Sequence, residues 1–94
     1  MKQYEIMTIY KIGLGDQGAK NLSAKVKELI DSMGGKITKD QYWGKRKFAY
    51  MIKNTQEGYY DVLEFGMDSN SISKFKDKLN ILNGLLRYLI TAKS

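Results

Sequence analysis

An α+β sandwich, with one four-stranded antiparallel sheet and two helices packed on a single face, is the fold this sequence predicts. Three observations predict it. Two stretches carry apolar residues every three or four positions, the helical period. Four others alternate apolar and polar residues, or are almost continuously apolar, as strands are. Clusters of Gly, Asn, Asp and Ser punctuate the joins, and the resulting order is strand, helix, strand, strand, helix, strand.

Residues 3–12 read as the first strand, with Ile6, Thr8 and Tyr10 on one face and Met7, Ile9 and Lys11 on the other. Gly13, Gly15 and Gly18 crowd the loop that follows, with Asp16 as the expected N-cap. Leu22, Val26, Leu29, Ile30 and Met33 then form one apolar helical stripe between about 16 and 33. Gly34-Gly35 stops that helix, because Gly takes the left-handed C-terminal position without Cβ strain.

A long extended segment runs from Lys36 to Lys53. Phe48, Tyr50 and Ile52 alternate in one phase, with Phe48 and Tyr50 expected in the core, while Ile37 sits in the other phase. The pattern must slip by one between them, and Gly44 is the natural place for a bulge. Asn54–Gly58 is expected to turn the chain into a second extended run, Tyr59–Met67, making a hairpin. Asp68-Ser69-Asn70-Ser71 supplies capping residues for a helix with Ile72, Phe75, Leu79 and Leu82 on its apolar side, ended by Asn83-Gly84. Leu85–Ala92 is the last strand, its polar exceptions being Arg87 and Thr91.

Two split βαβ units in this order make a ferredoxin-like βαββαβ sandwich over 1–94, a single domain. Right-handed crossovers put the first and third strands in the centre. The face away from the helices is then uncovered, and Met7, Ile9, Leu89 and Val62 are expected to point to it. Such an apolar surface is expected to be covered by a partner.

Composition narrows the chemistry. The 94 residues contain no Cys and no His, so thiolate chemistry, disulfides and the commonest general base and zinc ligand are excluded. No apolar run approaches the ~18 residues of a membrane span, and the N-terminus alternates like a strand rather than a signal peptide. An intracellular compartment suits these features. Glu5, Glu57, Asp61 and Glu64 read as surface charges on strand ends and turns, without helpful spacing for acid/base work. Residues 13–18, GLGDQG, match G-x-G-x-x-G between strand and helix. Asp16 would aim a carboxylate at a pyrophosphate and no doubly wound sheet is expected, so these are loop glycines. No cofactor, metal or enzymatic activity is expected.

Charge is the more informative quantity. The net charge is +6, and the segment from Lys36 to Lys53 holds six basic residues against one acid, with Tyr42, Trp43 and Tyr50 interleaved. Clustered cations neutralise phosphates, and aromatics among them stack on bases. The competing reading is a chain rich in Lys throughout, which Lys74, Lys76 and Lys78 fit. An RNA-recognition motif shares this topology, but its third-strand signature fails here. Along Glu57–Glu64, only Gly58, Tyr59 and Val62 match, and both later stacking positions are acidic. A stacking platform on the sheet is therefore not expected.

Tyr4-Glu5-Ile6-Met7, the block from Trp43 through Tyr50 (WGKRKFAY) with Ile52, Glu57-Gly58-Tyr59-Tyr60, and Leu82 through Tyr88 (LNGLLRY) stand in an order and spacing that resemble the ribosomal protein S-six family over essentially the whole chain. The resemblance implies a structural protein of the small ribosomal subunit. It would bind the central domain of small-subunit ribosomal RNA as a heterodimer with ribosomal protein S-eighteen, in the cytoplasm and on the ribosome. Met51 stands where the family usually has Pro, and the chain ends at Ser94 where many members carry an acidic tail, so tail-dependent contacts are not carried over.

Lys2, Trp43, Lys45, Arg46, Lys47, Arg87 and Lys93 are the candidate RNA-binding residues, and Met7, Ile9, Trp43 and Leu89 the candidate partner-binding residues. Arg46 can fork onto a phosphate and the lysines act as point charges. Trp43 stacks on an unpaired base, packs against the partner, or lids the core edge. Arg87 meets RNA or a carboxylate of the partner. Two other functions share the fold. A free-standing RNA-binding regulator would bind tightly alone. An acylphosphatase-like enzyme needs a catalytic Arg after a Gly-rich anion loop, which neither Arg46 nor Arg87 provides.

Overall fold

The computed structural model describes the backbone of residues 1–52 and 55–93 and the side chains of 1–47 and 57–93. Six principal elements follow one another: β1 (Lys2–Lys11), α1 (Gly15–Ser32), β2 (Lys36–Ile52), β3 (Thr55–Met67), α2 (Ile72–Asn80) and β4 (Leu85–Lys93). The strands form one antiparallel sheet in the order β2-β3-β1-β4, so the first and third are central as the crossover rule requires. This is the ferredoxin-like βαββαβ arrangement.

The core lies between sheet and helices. Tyr4, Ile6 and Tyr10 of β1 alternate inward. Tyr4 and Ile6 meet Leu63, Phe65 and Met67 of β3 with Val26, Ile30, Phe75 and Leu79 of the helices, and Tyr10 packs with Tyr59, Ala19 and Leu22 in a second cluster. Tyr4 stacks on Phe65 at 5.7 Å between ring centroids, and Phe65 meets the edge of Phe75 at 5.6 Å. These three rings tie β1, β3 and α2 together. Truncating Phe75 to Ala would cost about 3–5 kcal/mol as transfer free energy plus cavity. The expected core positions Phe48 and Tyr50 lie outside the described side chains.

Several boundaries differ from expectation for local reasons. Asp16 does not cap α1, because a 3-10 turn over Ile12–Leu14 feeds straight into the helix and puts Asp16 in its first turn. There its charge suits the positive end of the helix dipole, and it is bound by Lys20 at 3.1 Å and the Tyr42 hydroxyl at 2.9 Å. The far end of α1 is a Schellman motif. Gly34, at φ +78°, donates to Asp31 O, and Gly35 donates to Ile30 O. Thr55–Gly58, expected in the turn, already belong to β3: Gly58 pairs with Arg46 and Glu57 with Lys47, so the hairpin is longer than its apolar pattern. Asp68 caps a short 3-10 turn by accepting from Asn70 N at 3.0 Å. Helix α2 ends at Asn80, earlier than Asn83-Gly84, and Leu82 reaches the core from the turn.

The slip in β2 is real and is repeated. Pairing with β3 shifts between Tyr42 and Gly44, where Gly44 takes φ +79°, and also between Ile37 and Lys39 and again beyond Lys47.

Candidate nucleic-acid interface

Antiparallel pairing places opposed residues on one face, so the uncovered side of the sheet can be read row by row. One end row carries Lys36, Gly66, Gln3 and Lys93. Next come Lys39, Glu64, Glu5 and Thr91, then Gln41, Val62, Met7 and Leu89. The fourth is Gly44, Tyr60, Ile9 and Arg87, with Trp43 bulged beside it, and the last holds Arg46, Gly58 and Lys11.

The two ends differ chemically. At the first end, Lys93 Nζ lies 2.7 Å from Glu64 and 3.9 Å from Glu5, and Lys39 lies 3.7 Å from Glu64. The bond from Lys93 holds the Glu64 carboxyl below the usual range, and Glu64 in turn raises the Lys93 ammonium. Glu5 and Glu64 are thus cross-strand neighbours, a pairing too distant in sequence to be seen there. A general acid needs a raised pKa, so Glu64, held low by Lys93, is unsuited to that role. Among the described residues no three acidic groups come close enough to hold a metal ion.

The other end is basic and aromatic. Lys45, Arg46 and Lys47 are all exposed. Arg46, opposite Gly58, falls on the open face, whereas Lys45 and Lys47, opposite Tyr59 and Glu57, fall on the helix side of the ribbon. One guanidinium N–H of Arg46 donates to Lys45 O at 2.8 Å. Arg87 is exposed in the adjoining row. Trp43, 45 % exposed, lies parallel to Tyr60 at 8° and 6.4 Å between ring centroids.

That ring pair corrects the expectation of a sheet face without a stacking platform. The signature-like frame places Tyr59, Asp61 and Glu64 at the aromatic positions; Tyr59 and Asp61 point into the core, while Glu64 faces outward. The phase Gly58, Tyr60, Val62, Glu64 is the one that faces outward. Of the candidate partner contacts, Leu89 is 62 % exposed and Met7 half-buried, while Ile9 and Val62 share the face but are almost fully covered. Lys2 is exposed in the opposite phase, opposite Met67. The structure therefore gathers Trp43, Arg46 and Arg87 at one end of the face, with Lys45 and Lys47 beside them. Lys2 and Lys93 stand at the other end, eight residues or about 26 Å along the strands.

Asp61 is a second correction. Expected as surface charge, it is fully buried at the centre of β3. Its Oδ2 accepts from Ser23 Oγ of α1 at 2.5 Å and from Tyr10 OH at 3.3 Å, while Oδ1 has no partner among the described residues. Burial raises its pKa, the Ser23 bond opposes that, and Asp40 and Lys27 act at longer range in opposite senses. The signal was in the sequence. Tyr59, Leu63, Phe65 and Met67 set an inward phase that Asp61 interrupts, just as Thr8 and Ser23 interrupt theirs.

Fold and surface together define a small, basic ferredoxin-like domain whose open sheet face ends in cations and aromatic rings. The family described as Ribosomal protein S6 matches residues 3–92. The small ribosomal subunit protein bS6 of Thermoanaerobacter pseudethanolicus is 41 % identical over 90 residues, covering 96 % of this chain and 95 % of the relative. That of Fusobacterium nucleatum is 34 % identical, covering 96 % of each. The crystal structure of 30S ribosomal protein S6 from Thermotoga maritima superposes with a TM-score of 0.92 at 30 % identity, over 98 % of this chain and 87 % of that one. This chain belongs to the ribosomal protein S6 family. It is a structural protein of the small ribosomal subunit, not an enzyme.

Proposed function

We propose that this chain binds the central domain of small-subunit ribosomal RNA as a heterodimer with ribosomal protein S-eighteen, on cytoplasmic ribosomes. The observation that carries the reading is the division of the open face. An apolar patch centred on exposed Leu89, with Met7 beside it, adjoins a basic end with Arg46 and Arg87. Burying Leu89 and its neighbours against a second chain removes an exposed apolar surface from water, at roughly 25 cal/mol per Å². The cations beside it neutralise phosphates and release counterions.

The RNA footprint in this reading is Trp43, Lys45, Arg46, Lys47 and Arg87. Lys93 lies outside it, engaged with Glu64 and Glu5, and so does Lys2 at the same far end. The partner footprint is Leu89 and Met7, with Ile9 supporting them from beneath.

Few phosphate contacts are available to a domain this small, so a second basic chain joined at Leu89 would lengthen the charged surface and make RNA binding cooperative. The test titrates central-domain RNA with this protein, with the partner, and with both. Tighter saturation by the mixture is expected. Saturation by this protein alone at the same concentration would replace the heterodimer with a free-standing RNA binder.

A further inference from the structure

The outward side of Trp43 has a use that charge neutralisation leaves unexplained. Its indole stacks parallel to Tyr60, yet Trp43 stays 45 % exposed. The bulge at Trp43-Gly44, fixed by the left-handed backbone of Gly44, is what carries the ring onto the open face beside Tyr60. Directly along β3 from Tyr60 the outward position is Gly58, which has no side chain. Arg46 and Lys11 flank that gap on the neighbouring strands. Two strand spacings separate them, about 10 Å, and the row lies about 6.6 Å from the ring pair.

We propose that this arrangement is a single-nucleotide slot: an unpaired RNA base stacks on the exposed face of Trp43, and its phosphates are held by Arg46 and Lys11 across Gly58. A parallel aromatic pair offers a flat, sequence-tolerant surface, and cations one row away match the charge of the adjoining backbone. Arg46 spends one N–H on Lys45 O and keeps four others for phosphate. The slot rests on the RNA-binding reading above and adds that the RNA presents an unstacked base, not a duplex backbone alone.

Trp43 is the sole tryptophan, so it can be observed singly. The chain is labelled with 5-fluorotryptophan, and its one fluorine resonance is followed on adding the partner protein, and then a central-domain RNA fragment. The expected result is a ring-current shift on addition of RNA. Trp43→Ala should weaken RNA binding by about 5- to 100-fold with an unchanged salt slope, and Trp43→Tyr should restore most of it. Native circular dichroism of both variants checks the fold. A resonance that moves with the partner and no further with RNA assigns Trp43 to the protein–protein contact and overturns the slot. RNA that binds with a salt slope dependent on Arg46 while the resonance stays still also overturns it. If the mixture binds no RNA at all, the RNA-binding reading itself has failed, and the slot with it.

Discussion

Ser23 of α1 and Asp61 of β3 are joined by a hydrogen bond of 2.5 Å that crosses the helix–sheet interface at its centre. Around it stand Tyr10 and Thr8 of β1, whose hydroxyls donate to the Asp61 carboxylate and main-chain carbonyl, and the more distant Lys27 and Asp40. The Asp61 carboxylate thus gathers two hydroxyls, and its main-chain carbonyl a third, that would otherwise be orphaned in an apolar core.

Asp61 should leave a mark on stability as pH changes. Its pKa is raised in the folded chain, so the folded state holds the proton more tightly than the unfolded one. Its contribution is most favourable at and below the ordinary carboxylate range and is withdrawn as pH rises through the raised value. Glu64 and Asp16, lowered chiefly by Lys93 and Lys20, act in the opposite sense and lose their contribution on acidification. Comparison with Asp61→Asn cancels those terms. The stability of the wild type relative to the variant, from urea unfolding, should rise as pH falls from neutral toward the carboxylate range. A difference that stays flat or falls would show that Asp61 is not held with a raised pKa.

The turn after α1 should be intolerant at one glycine for packing and at the other for backbone. A Cβ on Gly35 would sit 2.7 Å from Ile30 Cγ2 and 2.9 Å from Ile30 O, so Gly35→Ala should cost about 1–3 kcal/mol. Gly34 has open space around it but φ +78°, so Gly34→Ala should cost about 1–2 kcal/mol through strain alone. Thermal melts of the two variants and of their combination would measure both. A Gly35→Ala protein as stable as the wild type would mean the helix end is not seated as described.

The two ends of the open face should respond differently to charge removal. Lys45→Ala, Arg46→Ala and Lys47→Ala together should reduce the salt slope of RNA association by about one unit per lost phosphate contact, with the fold retained. Lys93→Ala should leave that slope unchanged, because its ammonium is committed to Glu64 and Glu5. Filter binding across a salt series separates the two. Equal losses in both variants would place RNA along the full length of the sheet.

Leu89→Glu should abolish association with the partner while leaving the isolated protein folded, since the side chain already stands 62 % exposed. Calorimetric titration of the partner into the variant would give no heat. Undiminished binding would move the protein–protein contact off this face.

Much of this architecture is legible in the sequence where patterns are local. Ile6, Thr8 and Tyr10 show the inward phase of β1, and Gly34-Gly35 mark the end of α1 without reference to anything distant. What is not legible depends on pairing register. That Glu5 faces Glu64, or that Trp43 lies against Tyr60, follows only once β1 and β2 are aligned on β3. The position of Asp61 was recoverable from the phase of its neighbours, and was obscured by the rule that carboxylates belong outside.

The bulge at Trp43-Gly44 acts on the chain as a change of parity. The side chains from Lys45 to Lys47 have their side of the ribbon decided there, because strand positions alternate with a period of two. Deleting one residue at this point would reverse the assignment: Arg46 would turn toward the helix side, and Lys45 and Lys47 would come onto the open face. The net charge of +6 would be untouched, because Trp43 and Gly44 are uncharged, yet the surface offered beside Tyr60 would carry a different arrangement of cations. A single insertion placed further along the strand would restore the original sides beyond it, so length changes in β2 should be tolerated in compensating pairs.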